Sequence, residues 1–140
     1  MLVSEILDGT EPFPTIATDT TVKAAAALMR SDDVRALPVV EGDRLLGIVT
    51  DWDIVDAFAE ESDDLSVRPV SAIMTSEKLI TIAVDASAAD ATEKLQQNRV
   101  HHLPVVNGDN YVGMLCLGLE WNDDAMLAPP VRPVLTARRP

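Results

Sequence analysis

The chain has 140 residues, of which 47% are hydrophobic, and this length supports one compact domain of ordinary size with a real core, so we do not expect a large multidomain enzyme. Eleven Lys and Arg residues against 23 Asp and Glu residues give a formal net charge of −12, which disfavours non-specific binding to nucleic acid or to an anionic membrane. The single cysteine, Cys116, excludes an internal disulfide and every zinc site that needs paired thiolates.

The amino terminus indicates where the protein works. Residues 1–5 lack the basic residues that begin a signal peptide. No apolar run approaches the roughly 18 residues that a membrane span needs. We therefore expect a cytoplasmic protein.

The first predicted elements are a short strand and a helix. Residues 15–18 are predicted to be extended, and 19–21 carry the Asp and Thr side chains that often begin a helix. The helix is expected to continue to about Ser31, because apolar residues recur at i, i+3, i+4 and i+7, namely Val22, Ala25, Ala26 and Met29.

A hairpin and a second helix follow. Residues 34–40 and 45–49 are short apolar runs on either side of an acidic Gly turn, which is typical of a β-hairpin. The helix predicted from about Asp51 to Ala59 carries apolar residues on one side, including Val55 and Phe58. An acidic connector over 60–64 then ends the first half of the chain.

The second half repeats the first with an offset of 66 positions. Between positions 15 and 47, 13 of 33 residues are identical to their counterparts, where average residue usage would give about two. Ser87 and Asp90 form a plausible capping box for the repeated helix, and 100–106 with 111–115 repeat the hairpin. Two copies of one supersecondary unit are therefore predicted.

The repeat predicts an α/β (α+β) fold in which each unit has the order strand, helix, strand, strand, helix. The first unit and its connector are placed at 1–64 and the second unit at 65–124. Residues 125–140 are rich in proline and show little periodicity, so we expect an extended or disordered tail.

Three segments resemble a tandem pair of cystathionine-beta-synthase (CBS) domains, the Bateman module. These are Val34–Val40, Val100–Val106 and Gly47–Asp53, and the last is similar to the nucleotide motif Gly-x-x-Thr/Ser-x-x-Asp of that family. The resemblance implies two pseudo-twofold units packed sheet to sheet into one disc, and a homodimer of discs. Val55, Phe58 and the pair Met126-Leu127 are candidates for the dimer surface.

The resemblance also implies a function. Such modules bind AMP, ADP, ATP or S-adenosylmethionine in the cleft between their two units. The chain is then a stand-alone regulatory module that signals to a separate effector protein, and it is not an enzyme and requires no cofactor or metal. The alternative is a ligand-free scaffold for dimerisation and protein interaction.

Thr50 and Asp53 are the main candidates for binding the ligand. A strand is predicted to end at Thr50 where a helix begins, so backbone N–H groups and the Thr50 hydroxyl could hold a phosphate. The Asp53 carboxylate, one turn later, could accept both hydroxyls of a ribose. The alternative is that the same two residues only cap the helix, and the cap and ligand roles are compatible with each other.

The resemblance assigns further ligand contacts. It implies that Thr75 and Ile80 line the adenine and ribose side, that Val100 and His101 flank the base, and that Arg35 points toward phosphate. For Arg35, an ion pair with Asp51 or Asp56 is the alternative. Trp52, within the motif, is a further candidate; packing between discs is an alternative, and ordinary burial is the simpler expectation.

The second copy of the nucleotide motif has lost its polar groups. Under the 66-residue offset, Cys116 and Leu119 replace Thr50 and Asp53. We therefore expect at most one nucleotide site in each chain. His101 and His102 are adjacent on a predicted strand and point to opposite faces, so a shared metal ion is not expected.

Overall fold

In the computed structural model of the protein, residues 1–8, 10, 12–60, 64–121 and 131–138 are described, the side chains of 117–121 and 131–138 excepted. The described elements, in chain order, are α1 (Val3–Leu7), α2 (Val22–Asp32), β1 (Ala36–Glu41), β2 (Arg44–Thr50), α3 (Asp51–Glu60), two short 3₁₀ turns (Leu65–Val67 and Val70–Ala72), β3 (Ile82–Ala83), α4 (Ala88–Asn98), β4 (His102–Asn107), β5 (Asn110–Trp121) and β6 (Val131–Arg138). This mixture of helices and strands confirms the predicted α+β class.

The first compact unit contains the described residues of 14–79 together with 108–111. Its helix α2 begins where the Thr21 hydroxyl accepts a hydrogen bond from the Ala24 backbone N–H at 3.1 Å, and its C-cap is Asp33, which has a left-handed φ of 53°. The predicted strand at 15–18 is reduced to a single parallel bridge between Ile16 and Val39. The apolar side of α2 packs into a core of Ile16, Ala25, Met29, Leu37, Val39, Val49 and Val70.

The hairpin of β1 and β2 leads directly into α3. Its antiparallel register pairs Glu41 with Arg44 at the turn and Ala36 with Thr50 at the open end. Gly42 occupies the turn with a positive φ of 59°, which a residue without a side chain adopts at little cost. Because Thr50 ends β2, the next residue begins α3, as the sequence predicts.

Residues 65–79 lie with the first unit, whereas the repeat placed them in the second. The Val22 N–H donates to the Arg68 carbonyl at 2.9 Å, and Ile48 and Thr75 exchange two backbone hydrogen bonds, each of 2.9 Å. Gly47 permits this pairing, because a Cβ at that position would lie 2.8 Å from Met74 Sδ and 2.9 Å from the Thr75 carbonyl oxygen.

The second compact unit combines the described residues of 1–13 with 80–107 and the described residues from 112 onward. The amino-terminal segment joins it through backbone hydrogen bonds from Val3 to the Ala86 carbonyl (2.8 Å) and from Ser4 to the Val84 carbonyl (3.0 Å). Its core consists of Val3, Leu7, Ile82, Ala91, Leu95, Leu103, Val105 and Leu115. The sequence repeat does not reveal that the described residues of 1–13 belong to the second unit, because it assigned this segment to the unit that follows it directly in the chain.

Helix α4 of the second unit repeats α2. The Ser87 hydroxyl accepts from the Asp90 backbone N–H at 3.0 Å, and the C-cap is Arg99, which has a left-handed φ of 54°, as does Asp33 (53°) at the equivalent position. The strand β3 then pairs in parallel with β4, with Ile82 opposite Val105. The helix and hairpin predicted for the second half are therefore present.

The predicted last helix of the second unit is wrong in the described part of the chain. Strand β5 continues to Trp121 and pairs antiparallel with β6, from Met114 opposite Arg138 to Trp121 opposite Val131. The physical reason is that this repeat has lost the capping residues that start α3 and carries Gly118, which lowers helix propensity by about 1 kcal/mol. The expected tail contains β6 over 131–138, whereas 122–130 and 139–140, including Met126-Leu127, lie outside the described residues.

Candidate ligand site

Thr50 and Asp53 are joined by two hydrogen bonds at the start of α3. The Thr50 backbone N–H donates to Asp53 Oδ2 at 2.8 Å, and the Asp53 backbone N–H donates to Thr50 Oγ1 at 3.1 Å. This is a reciprocal capping box, and both side chains are half-buried. One carboxylate oxygen of Asp53 is used in the cap, whereas Oδ1 has no hydrogen-bond partner among the described residues.

The Asp51 side chain accepts a hydrogen bond from another backbone N–H of the same helical turn. Its Oδ1 accepts a hydrogen bond from the Trp52 backbone N–H at 2.8 Å. Sequence reasoning missed this role, although an acidic residue in the first helical turn is a signal for it. A phosphate could reach the Trp52 N–H only if the Asp51 side chain rotated away, and the negative charge of Asp51 opposes an anion at this position.

Trp52 is exposed rather than buried. Its side chain retains 67% of its accessible surface, so the expectation of ordinary burial is wrong. The reason is its position on α3, a helix in which none of the ten residues, all of them described, is fully buried.

Arg35 and Thr75 lie in the same unit as the capping box. The Arg35 carbonyl accepts from the Asp51 backbone N–H at 2.9 Å, so Arg35 is fixed beside the first residue of α3. Its exposed side chain forms no ion pair with Asp51 or Asp56, all three of which are described. Thr75 is exposed and pairs through its backbone with Ile48, two residues before Thr50.

The other three candidates, Ile80, Val100 and His101, lie in the second unit. Ile80 and Val100 are half-buried and pack against the core of that unit, and His101 is exposed immediately before the strand β4. The structure thus brings Arg35, Thr50, Trp52, Asp53 and Thr75 together within the first unit and describes these three within the second.

The position equivalent to the capping box in the second repeat has no helix. Cys116 is half-buried within β5, and the backbone of Leu119 lies in the same strand, opposite Pro133. The side chains of Leu117 and Leu119 lie outside the described part of the molecule. Because a strand has no helix N-terminus, this end of the repeat does not offer the donors that the first motif offers. A single nucleotide site in each chain stays a prediction.

His101 and His102 do not gather further metal-ligating groups. Within the described ranges, no three His, Cys, Asp or Glu side chains are grouped closely enough to hold a metal ion. His102 is half-buried on β4, next to the exposed His101. Among the described helices, none combines the length and the apolar character that crossing a membrane would require.

The chain belongs to the CBS domain family. The model of the CBS domain matches it twice, over residues 3–60 and 70–118, and each match falls within one of the two units predicted from the sequence. The predicted tandem CBS pair is therefore confirmed.

Individual relatives agree with this assignment. The chain is 35% identical over 109 residues to the CBS domain-containing protein YhcV of Bacillus subtilis, covering 78% of this chain and 76% of that protein. It is 36% identical over 108 residues to homoserine O-acetyltransferase of Methanococcus vannielii, but this match covers 76% of this chain and only 22% of that enzyme. Among solved structures, the CBS domain pair of protein MJ0100, in complex with 5′-methylthioadenosine and S-adenosyl-L-methionine, matches with a TM-score of 0.70 and 28% identity, covering 83% of this chain and 92% of the other.

Proposed function

We propose that the protein is a regulatory module that binds an adenosine-containing ligand and signals to a separate effector protein, without catalysing a reaction itself. The observation that carries this proposal is the capping box, which fixes the Asp53 carboxylate through Oδ2 and leaves Oδ1 without a partner among the described residues. The adenosyl compounds bound to the CBS pair of MJ0100 support the choice of ligand class.

Each residue of the capping box has a role in this proposal. Asp53 Oδ1 accepts a ribose hydroxyl, which selects a nucleoside over a free base. The Thr50 oxygen accepts from the Asp53 N–H and still has its own hydrogen to donate to the ligand. The cap therefore orients both side chains before the ligand arrives, which reduces the entropy lost on binding.

The remaining candidates complete the ligand contacts. Arg35 provides the positive charge for a phosphate, since its guanidinium forms no ion pair with the neighbouring acids Asp51 and Asp56. Thr75 and Ile80 contact the adenosine moiety, Val100 and His101 flank the base, and Trp52 offers an exposed ring for stacking.

The charge near the site favours some adenosyl ligands over others. Helix α3 carries Asp51, Asp53, Asp56 and Glu60 and no basic residue. A free triphosphate would meet this negative potential, although exposed charges are screened beyond about 8 Å at physiological salt. AMP, ADP and the cationic S-adenosylmethionine are therefore preferred to free ATP.

Thermal melts of the full chain with AMP, ADP, ATP and S-adenosylmethionine test the proposal. A ligand at one hundred times its dissociation constant adds about 2.7 kcal/mol of stability, which raises Tm by several degrees in a domain of this size. We expect such a shift with at least one ligand. No shift with any of the four, in a protein that melts cooperatively, would contradict it.

Two variants separate the ligand role of Asp53 from its role as a cap. Asp53→Asn keeps an oxygen that can accept from the Thr50 N–H but has only one acceptor oxygen, so the ligand-induced shift should be lost while most of the cap remains. Asp56→Ala, on the same helix, removes an acidic side chain outside the motif and should retain the shift. Equal ligand shifts in wild type and Asp53→Asn would exclude Asp53 as a ligand contact.

The second candidate function is a scaffold that needs no ligand. The reciprocal cap favours it, because Thr50 and Asp53 already satisfy each other's backbone N–H groups. In that case all four ligands leave Tm unchanged and Asp53→Asn alters only the stability of the apo protein. For both candidates we propose a homodimer that acts in the cytoplasm.

A further inference from the structure

A groove with mainly apolar walls lies between α2 and α3 of the first unit. Its apolar walls include Met29 from α2, Val34 from the segment before β1, and Ile54 and Val55 from α3. Its volume is about 330 Å³, at the lower end of the range of about 300–1,000 Å³ that is usual for small-ligand sites. Since a water molecule takes up about 30 Å³, this volume suits a ligand of roughly ten non-hydrogen atoms.

Three charged residues also line the groove, and none of them has an ion-pair partner in the described part of the chain. Arg30 is exposed near the end of α2, and Arg35 is exposed just before β1. Asp51 contributes a carboxylate from the first position of α3. Its Oδ1 accepts from the Trp52 N–H at 2.8 Å, whereas Oδ2 has no hydrogen-bond partner among the described residues. The groove thus offers an unused acceptor and two unpaired cations beside an apolar surface.

The groove is separate from the capping box. Neither Thr50 nor Asp53 is among its lining residues. Successive residues of an α-helix lie about 100° apart around the helix axis, so Asp53 lies about 200° from Asp51. Ile54, three residues after Asp51, lies on the same side of the helix as Asp51. The groove therefore faces away from Asp53 and can bind a second molecule.

We infer that this groove binds a free α-amino acid with an apolar side chain. At neutral pH such a molecule carries an ammonium group and a carboxylate on the same carbon atom. The ammonium group donates to Asp51 Oδ2, and the carboxylate accepts from the guanidinium groups of Arg30 and Arg35. The side chain of the amino acid packs against the apolar walls, as in other small-ligand sites.

The charges of the groove argue against other occupants. An acid without an ammonium group would leave its negative charge beside Asp51, and an amine without a carboxylate would meet the two arginines. The interior residues of a polypeptide carry neither an α-ammonium nor an α-carboxylate group. A free amino acid satisfies both kinds of charge with one small molecule.

NMR titration of the ¹⁵N-labelled full chain with leucine and with methionine tests this inference. We expect saturable shifts of the backbone N–H signals of the groove residues, with a Kd of about 0.1–1 mM for a ligand of about nine non-hydrogen atoms. 4-Methylpentanoate lacks the amino group of leucine, and 3-methylbutylamine lacks its carboxylate. Each should bind about tenfold or more weakly than leucine, because each leaves one charge of the groove without a partner.

Two variants test the residues that recognise the zwitterion. Asp51→Asn and Arg30→Gln should each weaken leucine binding by about tenfold or more, because each removes a charge-assisted hydrogen bond. Asp51→Asn keeps an oxygen that can accept from the Trp52 N–H, so the start of α3 is retained. Arg35 is left unchanged because it is also the proposed phosphate contact of the adenosyl ligand.

Asp56→Asn is the matched control. Asp56 is exposed on the same helix but does not line the groove, so this variant should bind leucine within about twofold of the wild type. A well-dispersed NMR spectrum establishes that each variant is folded.

Several results would overturn the inference. These are the absence of saturable shifts at about 10 mM leucine or methionine, equal binding of 4-methylpentanoate and leucine, and an unchanged affinity in Asp51→Asn. Groove signals that respond to S-adenosylmethionine but not to leucine would place the amino acid part of a nucleoside there instead. Groove signals that shift with protein concentration alone would mean that a second copy covers the groove. The adenosine-binding proposal is tested by the adenosyl ligands and Asp53→Asn, so the failure of one proposal is distinguishable from the failure of the other.

Discussion

Replacing Asp53 by alanine should lower the free energy of unfolding by about 1.5 kcal/mol. The Thr50 N–H, which donates to Asp53 Oδ2 at 2.8 Å, loses its acceptor, and loss of a capping hydrogen bond costs about 1 kcal/mol. Loss of a negative charge in the first turn of α3 adds about 0.5 kcal/mol through the helix dipole. For 140 residues, this change corresponds to a decrease in Tm of about 5 °C.

The partner substitution makes the prediction sharper. Thr50→Ala removes the acceptor of the Asp53 N–H and should cost about 1 kcal/mol. The double variant should lose less than the sum of the two single variants by about 0.5 kcal/mol or more, because the first turn frays once either bond is broken.

Urea denaturation followed by circular dichroism measures all three variants. Asp53→Asn, which retains an acceptor oxygen, should recover part of the stability lost in Asp53→Ala. If Asp53→Ala unfolded with the wild-type midpoint, or if the two single effects were strictly additive, the capping box would not stabilise α3 as described.

Three further predictions concern the scaffold. Gly47→Ala should destabilise the protein by about 1–3 kcal/mol, because its Cβ would lie 2.8 Å from Met74 Sδ; an unchanged urea midpoint would show that Met74 can move away. Leu103→Ala, at a fully buried position, should cost about 2–5 kcal/mol in the same assay, and a loss below 1 kcal/mol would contradict its place in the core. Thr21→Ala and Ser87→Ala should each cost about 1 kcal/mol, since each hydroxyl caps a helix, and a cap that contributes nothing would leave Tm unchanged.

Local signals predicted most of the fold. The caps at Thr21 and Ser87, the apolar periodicity of α2 and α4, and the hairpin turn at Gly42 all depend on residues within a few positions of one another. The strand pairing of β5 with β6 was not predicted, because it joins two distant segments and replaces a helix that the repeat implied. The placement of 1–13 and 65–79 was missed for the same reason.

In the candidate site, too, contacts between neighbouring residues were predicted, whereas features that depend on a side-chain rotamer or on tertiary packing were not. The contact between Thr50 and Asp53 follows from their spacing at the start of a helix, and the sequence already offered the cap as one interpretation. The hydrogen bond from the Trp52 N–H to Asp51 depends on one side-chain rotamer, which sequence patterns do not fix. The exposure of Trp52 depends on how α3 lies on its unit, which is a tertiary property.

Helix α3 begins with the capping box and carries the exposed side chains of Trp52, Val55 and Phe58 within the same ten residues. A ligand that engages Asp53 therefore acts on the first turn of the helix that a second copy would contact. If the two events are coupled, reciprocity requires that each changes the affinity of the other by the same factor. The apparent affinity for the ligand would then depend on the concentration of the protein, so its abundance in the cell would set the ligand level to which it responds.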